Sequence, residues 1–277
     1  MEKKIIILIL GIILLSGGFI FWLLNPLFPT KSKKGLQTNI SEIKKTVALN
    51  TLPTEKRPYI ILEPKSSVEP QSLGHWVTVT IDQVDDFERV EYEFEYTTGT
   101  MIQGGMGRID FGKEPPPVSK EIAFGSASKG KYKYDEGVNK GQFIFHFLKA
   151  GEEAALKTDF QLQTKAINGG IFRTNDDKAR LEAGRSDLKN NGYLIVASTL
   201  GLPKAPEGKM ISGPYGFYAD SSHKLTNSLL IFKEVNQEKV AILRWDGQQW
   251  QEYETKAGNS EASAKVDSLG TFVLVEK

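Results

Sequence analysis

The chain has no cysteine among its 277 residues. That absence excludes disulfides, thiolate nucleophiles, cysteine-ligated metals and a lipid-acylated cysteine anchor. It leaves the compartment open. Histidine is scarce, with His75, His146 and His223 only. No two of them stand at i, i+4, so no H-E-x-x-H zinc motif exists, and no G-x-S-x-G elbow marks a nucleophilic serine. A surplus of one charge is lacking too: 35 Lys and Arg against 34 Asp and Glu leave a net charge of +1. So balanced a chain carries no electrostatic signature of nucleic-acid binding. No long internal repeat is visible.

Long apolar runs are also missing, with one exception. Residues 5–24, IIILILGIILLSGGFIFWLL, contain no charge. A bilayer core about 30 Å thick is crossed by about 20 apolar helical residues, and this run has that length. Lys3 and Lys4 precede it, and Trp22 suits an interfacial position. Two readings stay open: a retained signal-anchor helix, or a signal peptide cleaved near Gly18 to release a secreted body. Retention is the expectation adopted, because cleavage there leaves a greasy Phe-Ile-Phe-Trp terminus. Lys31, Lys33 and Lys34 follow the run and nearly balance the lysines before it. A long body translocates largely regardless of such local charge, so the amino terminus is placed inside and the body outside the cytoplasm.

Everything after Asn25 is polar, turn-rich and strand-like. Residues 25–58 read as a proline-rich linker with a basic knot, interrupted by one short helix over 41–49. Residues 59–165 read as an antiparallel β-sandwich. Val90, Tyr92, Phe94 and Tyr96 alternate with Glu91, Glu93 and Glu95, which predicts a strand with one buried and one acidic, wet face. Residues 142–148, QFIFHFL, are apolar on both faces and predict a central strand. A boundary is expected near residue 166, with helical turns over 179–188. Residues 166–277 read as a second β-sandwich with strands about every ten residues, at 193–198, 210–218, 228–232, 240–245, 249–255, 262–266 and 271–275. Asp246-Gly247 predicts a two-residue type I′ hairpin turn, with φ > 0 at both positions. The fold class is thus mainly β: a transmembrane helix over 1–24, a linker, then two antiparallel sandwich domains.

Two stretches carry a family likeness. The tail, Leu243-Arg-Trp-Asp-Gly-Gln-Gln-Trp250 followed by Leu269-Gly-Thr-Phe-Val-Leu274, resembles the closing hairpin of bacterial surface β-sandwich modules. Residues 92–111, with Lys131-Tyr-Lys-Tyr-Asp-Glu-Gly-Val138, look like membrane-anchored surface proteins with cohesin-like or Ig-like sandwich ectodomains. The resemblance implies a surface-exposed interaction module and supplies no catalytic residues.

Candidate chemistry is sparse. Residues 125–132, GSASKGKY, nearly match a phosphate-binding P-loop, but Tyr132 stands where a hydroxyl for Mg²⁺ is needed and no amphipathic helix follows. A hairpin is the expectation there. The acidic turn of Asp82, Asp85, Asp86 and Glu88 and the run Asn175-Asp176-Asp177 have hard oxygens but not EF-hand spacing, and read as solvated turns. His146, between Phe145 and Phe147, reads as a satisfied core or sheet-face histidine. Trp76, Trp245 and Trp250 are the candidate contacts for a glycan or protein partner, within an aromatic set that also holds Tyr215, Phe217, Tyr218 and Tyr253, since flat rings stack on apolar sugar faces; core packing is the competing use of such rings. No catalytic, cofactor-binding or metal residue stands out, and no cofactor is implied. The expected function is a non-enzymatic binding or adhesion module at the cell envelope. The alternatives are an accessory subunit of an envelope complex and a hydrolase with a dispersed site.

Overall fold

The computed structural model describes residues 48–65, 74–129, 131–220 and 224–277. The expected membrane anchor over 5–24 and residues 25–47 lie outside them. Among the described residues no helix is long and apolar enough to cross a membrane. Val47–Lys277 forms one compact unit.

That unit is built almost wholly from strands. The chain lays down β1 (Tyr59–Pro64), β2 (Trp76–Asp82), β3 (Arg89–Thr98), β4 (Met101–Asp110) and β5 (Val118–Ala123). A hairpin follows, β6 (Gly125–Ser128) and β7 (Lys131–Tyr134), then two long strands, β8 (Val138–Lys149) and β9 (Glu152–Thr164). One helical turn, α1 (Lys165–Asn168), comes next. The Thr164 hydroxyl accepts the Ile167 N–H at its start, and left-handed Gly169 ends it. The remainder is β10 (Ile171–Arg173), β11 (Ala179–Glu182), β12 (Tyr193–Ser198), β13 (Lys209–Ala219) and β14 (Ser228–Lys233). It closes with β15 (Val240–Trp245), β16 (Trp250–Tyr253), β17 (Thr255–Gly258), β18 (Glu261–Val266) and β19 (Gly270–Glu276).

All strand pairs are antiparallel. A nine-stranded sheet runs β16-β15-β19-β13-β12-β9-β8-β3-β4. Beside it stand a three-stranded sheet, β1-β2-β5, and a five-stranded sheet, β10-β11-β14-β18-β17. Strand β12 shows how these fit. Ile195 and Ala197 belong to a core shared with β1, β2 and β5, whereas Leu194 and Val196 belong to a core shared with β11, β14 and β18. Successive side chains of a strand point to opposite faces. The two smaller sheets therefore cover opposite faces of the large one. In β3, Val90 and Tyr96 are buried while Glu91, Glu93 and Glu95 are exposed, as the alternation predicts. In β8, Phe143, Phe145 and Phe147 are fully buried at the centre of the sheet.

Several expectations change. The division expected near residue 166 falls at α1, and the β9–β12 ladder bridges it, pairing Tyr193 with Thr164 through to Ala197 with Phe160. The expected linker is tied to the body at Asn50 and folds on itself at Arg57. Asn50 bonds both main-chain groups of Lys157, and the Arg57 guanidinium donates to the Leu52 carbonyl at 2.7 Å. The helical turns expected over 179–188 are strand β11 and a turn, because Ala179 and Leu181 are both fully buried at period two. The Asp246-Gly247 turn is a four-residue loop over 246–249, with φ positive at Gly247 and not at Asp246. The Asp246 carboxylate accepts the backbone N–H groups of Gln248 and Gln249, each at 2.8 Å, and this side-chain turn extends the loop.

Candidate functional site

A cleft of about 750 Å³ opens where β1 lies across the large sheet. Strand β1 is pinned there by a backbone exchange with Leu200, Ile60 N–H to Leu200 O at 2.7 Å and the reverse at 3.3 Å. The apolar side of β1, Ile60 and Leu62, enters the first core. Its other side, Tyr59, Ile61 and Glu63, lines the cleft together with Tyr218 of β13, Arg244 and Trp245 of β15, and Thr271 of β19.

At one wall three hydroxyls meet. Tyr59 and Tyr218 both bond the buried Thr271 hydroxyl, Tyr59 at 2.8 Å. Burial pushes both phenols above their ordinary range, so they remain protonated hydrogen-bonding groups. Glu63 lies in the same cleft, and burial raises its carboxyl pKa. Among the described residues no cation or donor is bonded to it. A half-buried carboxylate with no bonded partner is costly for the protein alone, and a ligand that donates to it recovers that cost.

Another part of the lining is basic and aromatic. Arg244 Nε donates to the Tyr253 hydroxyl at 3.0 Å, and Tyr253 donates to Asp267 at 2.5 Å. Arg244 Nη1 reaches the Trp245 carbonyl at 3.3 Å. These bonds fix the guanidinium beside the cleft. Trp245 packs edge-to-face on Trp250, ring centroids 5.5 Å apart. Trp250 in turn donates to the Lys204 carbonyl at 2.8 Å and packs on a small apolar cluster around Leu243 and Val273. Lys65 lines the rim, paired with Glu121 at 2.7 Å, its ammonium 4.5 Å from the Trp76 ring centre.

The three tryptophans therefore separate. Trp245 lines the cleft, Trp250 buttresses it, and Trp76 touches the cleft only through Lys65. Trp76 is otherwise held by Tyr132 and Tyr134. The P-loop-like segment is the β6–β7 hairpin that carries those tyrosines, with Tyr132 stacked on Tyr134. His75 stacks on Tyr134 at 4.8 Å and lines a different groove, with Glu136 and Gln163. His146 lies on the sheet face, bonded to Glu153 at 2.6 Å; His223 is outside the described residues.

The acidic turns are occupied by the protein itself. Asp86 pairs with Lys149, and Asp82 accepts the Gln83 N–H. Asp176 accepts the Tyr215 hydroxyl at 2.5 Å, and Asp177 pairs with Lys233 and Arg173. Among the described residues no three acidic or histidine side chains cluster as a cation site.

Tyr218 is one of the aromatics the sequence offers for a sugar platform, whereas Glu63, Tyr59 and Thr271 went unnoticed there. The signal for Tyr59 and Glu63 is that they alternate with Ile60 and Leu62 along one strand; Thr271 lies in an apolar strand and has none. Comparison with protein families, with curated proteins and with solved structures finds no match for this chain.

Proposed function

We propose that the chain is a membrane-anchored, extracytoplasmic binding module at the cell envelope, whose two sandwich layers share one sheet and whose cleft takes a glycan. The observation that carries this reading is the mixed lining of one cleft, which Glu63 and Tyr59 share with Arg244 and Trp245. A sugar presents apolar ring faces to an indole and hydroxyls to a carboxylate and a guanidinium. The cleft size fits a ligand of one to a few sugar rings, within the usual ~300–1,000 Å³ of small-molecule sites. The apolar run over 5–24 supports the anchor and the placement outside the cytoplasm.

The test is titration of the detergent-solubilised full chain with a panel of envelope and host oligosaccharides, followed by tryptophan fluorescence. At least one is expected to quench or shift the emission, and Trp245→Ala to weaken it tenfold or more. Binding that survives in Trp245→Ala at full strength overturns the assignment of the cleft. Alkaline extraction of membranes tests the anchor, and a soluble chain beginning near Phe19 defeats it.

Glu63 favours a second reading. A carboxyl with a raised pKa, beside buried phenols in a cleft, has the makings of a general acid. Turnover of a bound oligosaccharide, abolished in Glu63→Gln while binding persists, distinguishes a hydrolase from a binder.

A further inference from the structure

We propose that β4 is the seam at which two copies of this chain join, edge to edge and antiparallel about Gly104. It is the terminal strand of the nine-stranded sheet and ten residues long. The other sheet edges are short or guarded. β16 has four residues with Glu252 paired to Lys277, β10 has three, β17, β6 and β7 have four each, β5 has six with Lys120 paired to Glu114, and β1 carries Pro64 and meets Leu200. β4 has no proline and no charge before Arg108. Its apolar side chains stand in water: Met101 is 59% exposed, Ile102 70% and Met106 81%. A long, apolar edge without gatekeepers is a template for strand pairing.

The register names the partner. Strands β3 and β4 are joined by a two-residue turn, Gly99-Thr100, with Thr98 opposite Met101. A tight turn makes that pair the first hydrogen-bonded one, so alternate residues from Met101 bond inward. The main-chain groups of Ile102, Gly104, Met106 and Arg108 then point outward. Among the described residues no backbone bond reaches them. Laid antiparallel on a second copy about Gly104, residue i faces residue 208 − i. Gly104 meets Gly104, Ile102 meets Met106, and Met106 meets Ile102. Both new pairs are apolar, and all three sit at positions whose backbone groups are free to exchange bonds.

The core-facing row agrees. Met101 falls opposite Gly107 and Gln103 opposite Gly105. Those glycines have no side chain to obstruct; a Cβ on Gly105 or Gly107 meets the Phe94 or Tyr92 ring at 2.9 or 2.3 Å. Residues 101–107 carry no charge, so the antiparallel match creates no like-charge contact within them. Moving the twofold to Gly105 instead sets Ile102 against Arg108, which leaves the apolar pairs unmatched. The seam lies at the opposite end of the sheet from β15, so both clefts stay open.

The cysteine-free chain permits a register-specific test. The full chain in mild detergent is examined by sedimentation over roughly 1–100 µM, as suits an interface smaller than the ~1,200 Å² of standard complexes. A concentration-dependent dimer is expected. Under mild oxidation Ile102→Cys/Met106→Cys should give a covalent dimer. Each single variant should give at least tenfold less, because like positions then lie four residues, about 13 Å, apart. Ile102→Lys/Met106→Lys sets four like charges across the seam and should be monomeric with an unchanged far-ultraviolet circular dichroism spectrum. A monomer at every concentration, single variants that cross-link as well as the double, or a lysine variant that stays dimeric overturns the proposal. Should the lysine variant lose its strand signal, the cysteine comparison decides. A monomer whose edge captures an extended peptide is one of the overturning outcomes.

Discussion

Glu63 and Asp187 are two carboxylates that burial treats alike and partners treat differently. Burial raises Glu63, and nothing bonded opposes it. For Asp187, burial also pushes upward, but Thr226, Asn227 and Ser228 surround it with donors. They hold it down at about 2. The signs of their pH dependence are therefore opposite. Asp187 has a folded pKa below its ordinary 3.8, so its contribution to stability is complete above that value and lost as pH falls toward 2. Asp187→Asn should cost about 2–3 kcal/mol at pH 7, because donors lose their acceptor, and the loss should shrink on acidification. Urea melts at pH 7 and pH 3 measure both. Glu63 has a raised folded pKa, so its ionisation opposes folding as pH climbs through that value. Glu63→Gln should raise the melting temperature at pH 7 by about 1–3 °C and leave it unmoved at pH 4. A ligand-binding carboxylate is often kept at such a cost to stability. Calorimetry at the two pH values settles the sign; a lower melting temperature at pH 7 means Glu63 is bonded in solution. Neither residue advertised itself in the sequence. The partners of Asp187 lie some forty residues onward, and Glu63 becomes special only when β1 crosses the large sheet.

Elements were legible where alternation or length spoke plainly. β3 and β8 sit where the patterns of residues 90–96 and 142–148 put them, and the strands expected after residue 193 match β12 to β19 closely. The stretch expected as one strand over 249–255 divides into β16 and β17, which join different sheets. The Thr255 hydroxyl accepts the Ile242 N–H at 2.9 Å, which lets the chain leave the ladder without an orphaned donor. No periodicity announces that kind of exchange. The loop between β15 and β16 was legible as a turn but not in its length, because a side chain, Asp246, sets it. Gly247 there has φ +104°, and the space that a Cβ would take is open. Strain alone, not collision, should therefore penalise Gly247→Val, by about 1–3 kcal/mol. Gly247→Asn tolerates positive φ better and should recover most of that loss. Thermal melts of the pair separate strain from lost packing; equal losses would point to packing.

At the scale of the whole molecule, the question is whether two cores make two folding units. Sequence suggested a boundary near 166 because glycines and asparagines cluster there, and the chain does turn at α1. Yet the β9–β12 ladder carries the sheet across that point. β12 contributes Ile195 to one core and Val196 to the other, each essentially buried. Losing either core strips one face of a strand that the other core needs. Cooperative units follow such shared elements. Phe145→Ala, in the first core, and Phe217→Ala, in the second, should each cost about 3–5 kcal/mol, as large buried rings do. The informative quantity is where that cost appears. With one unit, either variant gives a single transition at a lower temperature, and hydrogen exchange quickens in β3 and β14 alike. With two units, Phe145→Ala leaves β14 and β18 protected while β3 and β8 open. The continuous ladder predicts the first result. Segment-resolved hydrogen exchange on the two variants reads it directly, and protection that splits at residue 166 would restore two independent domains.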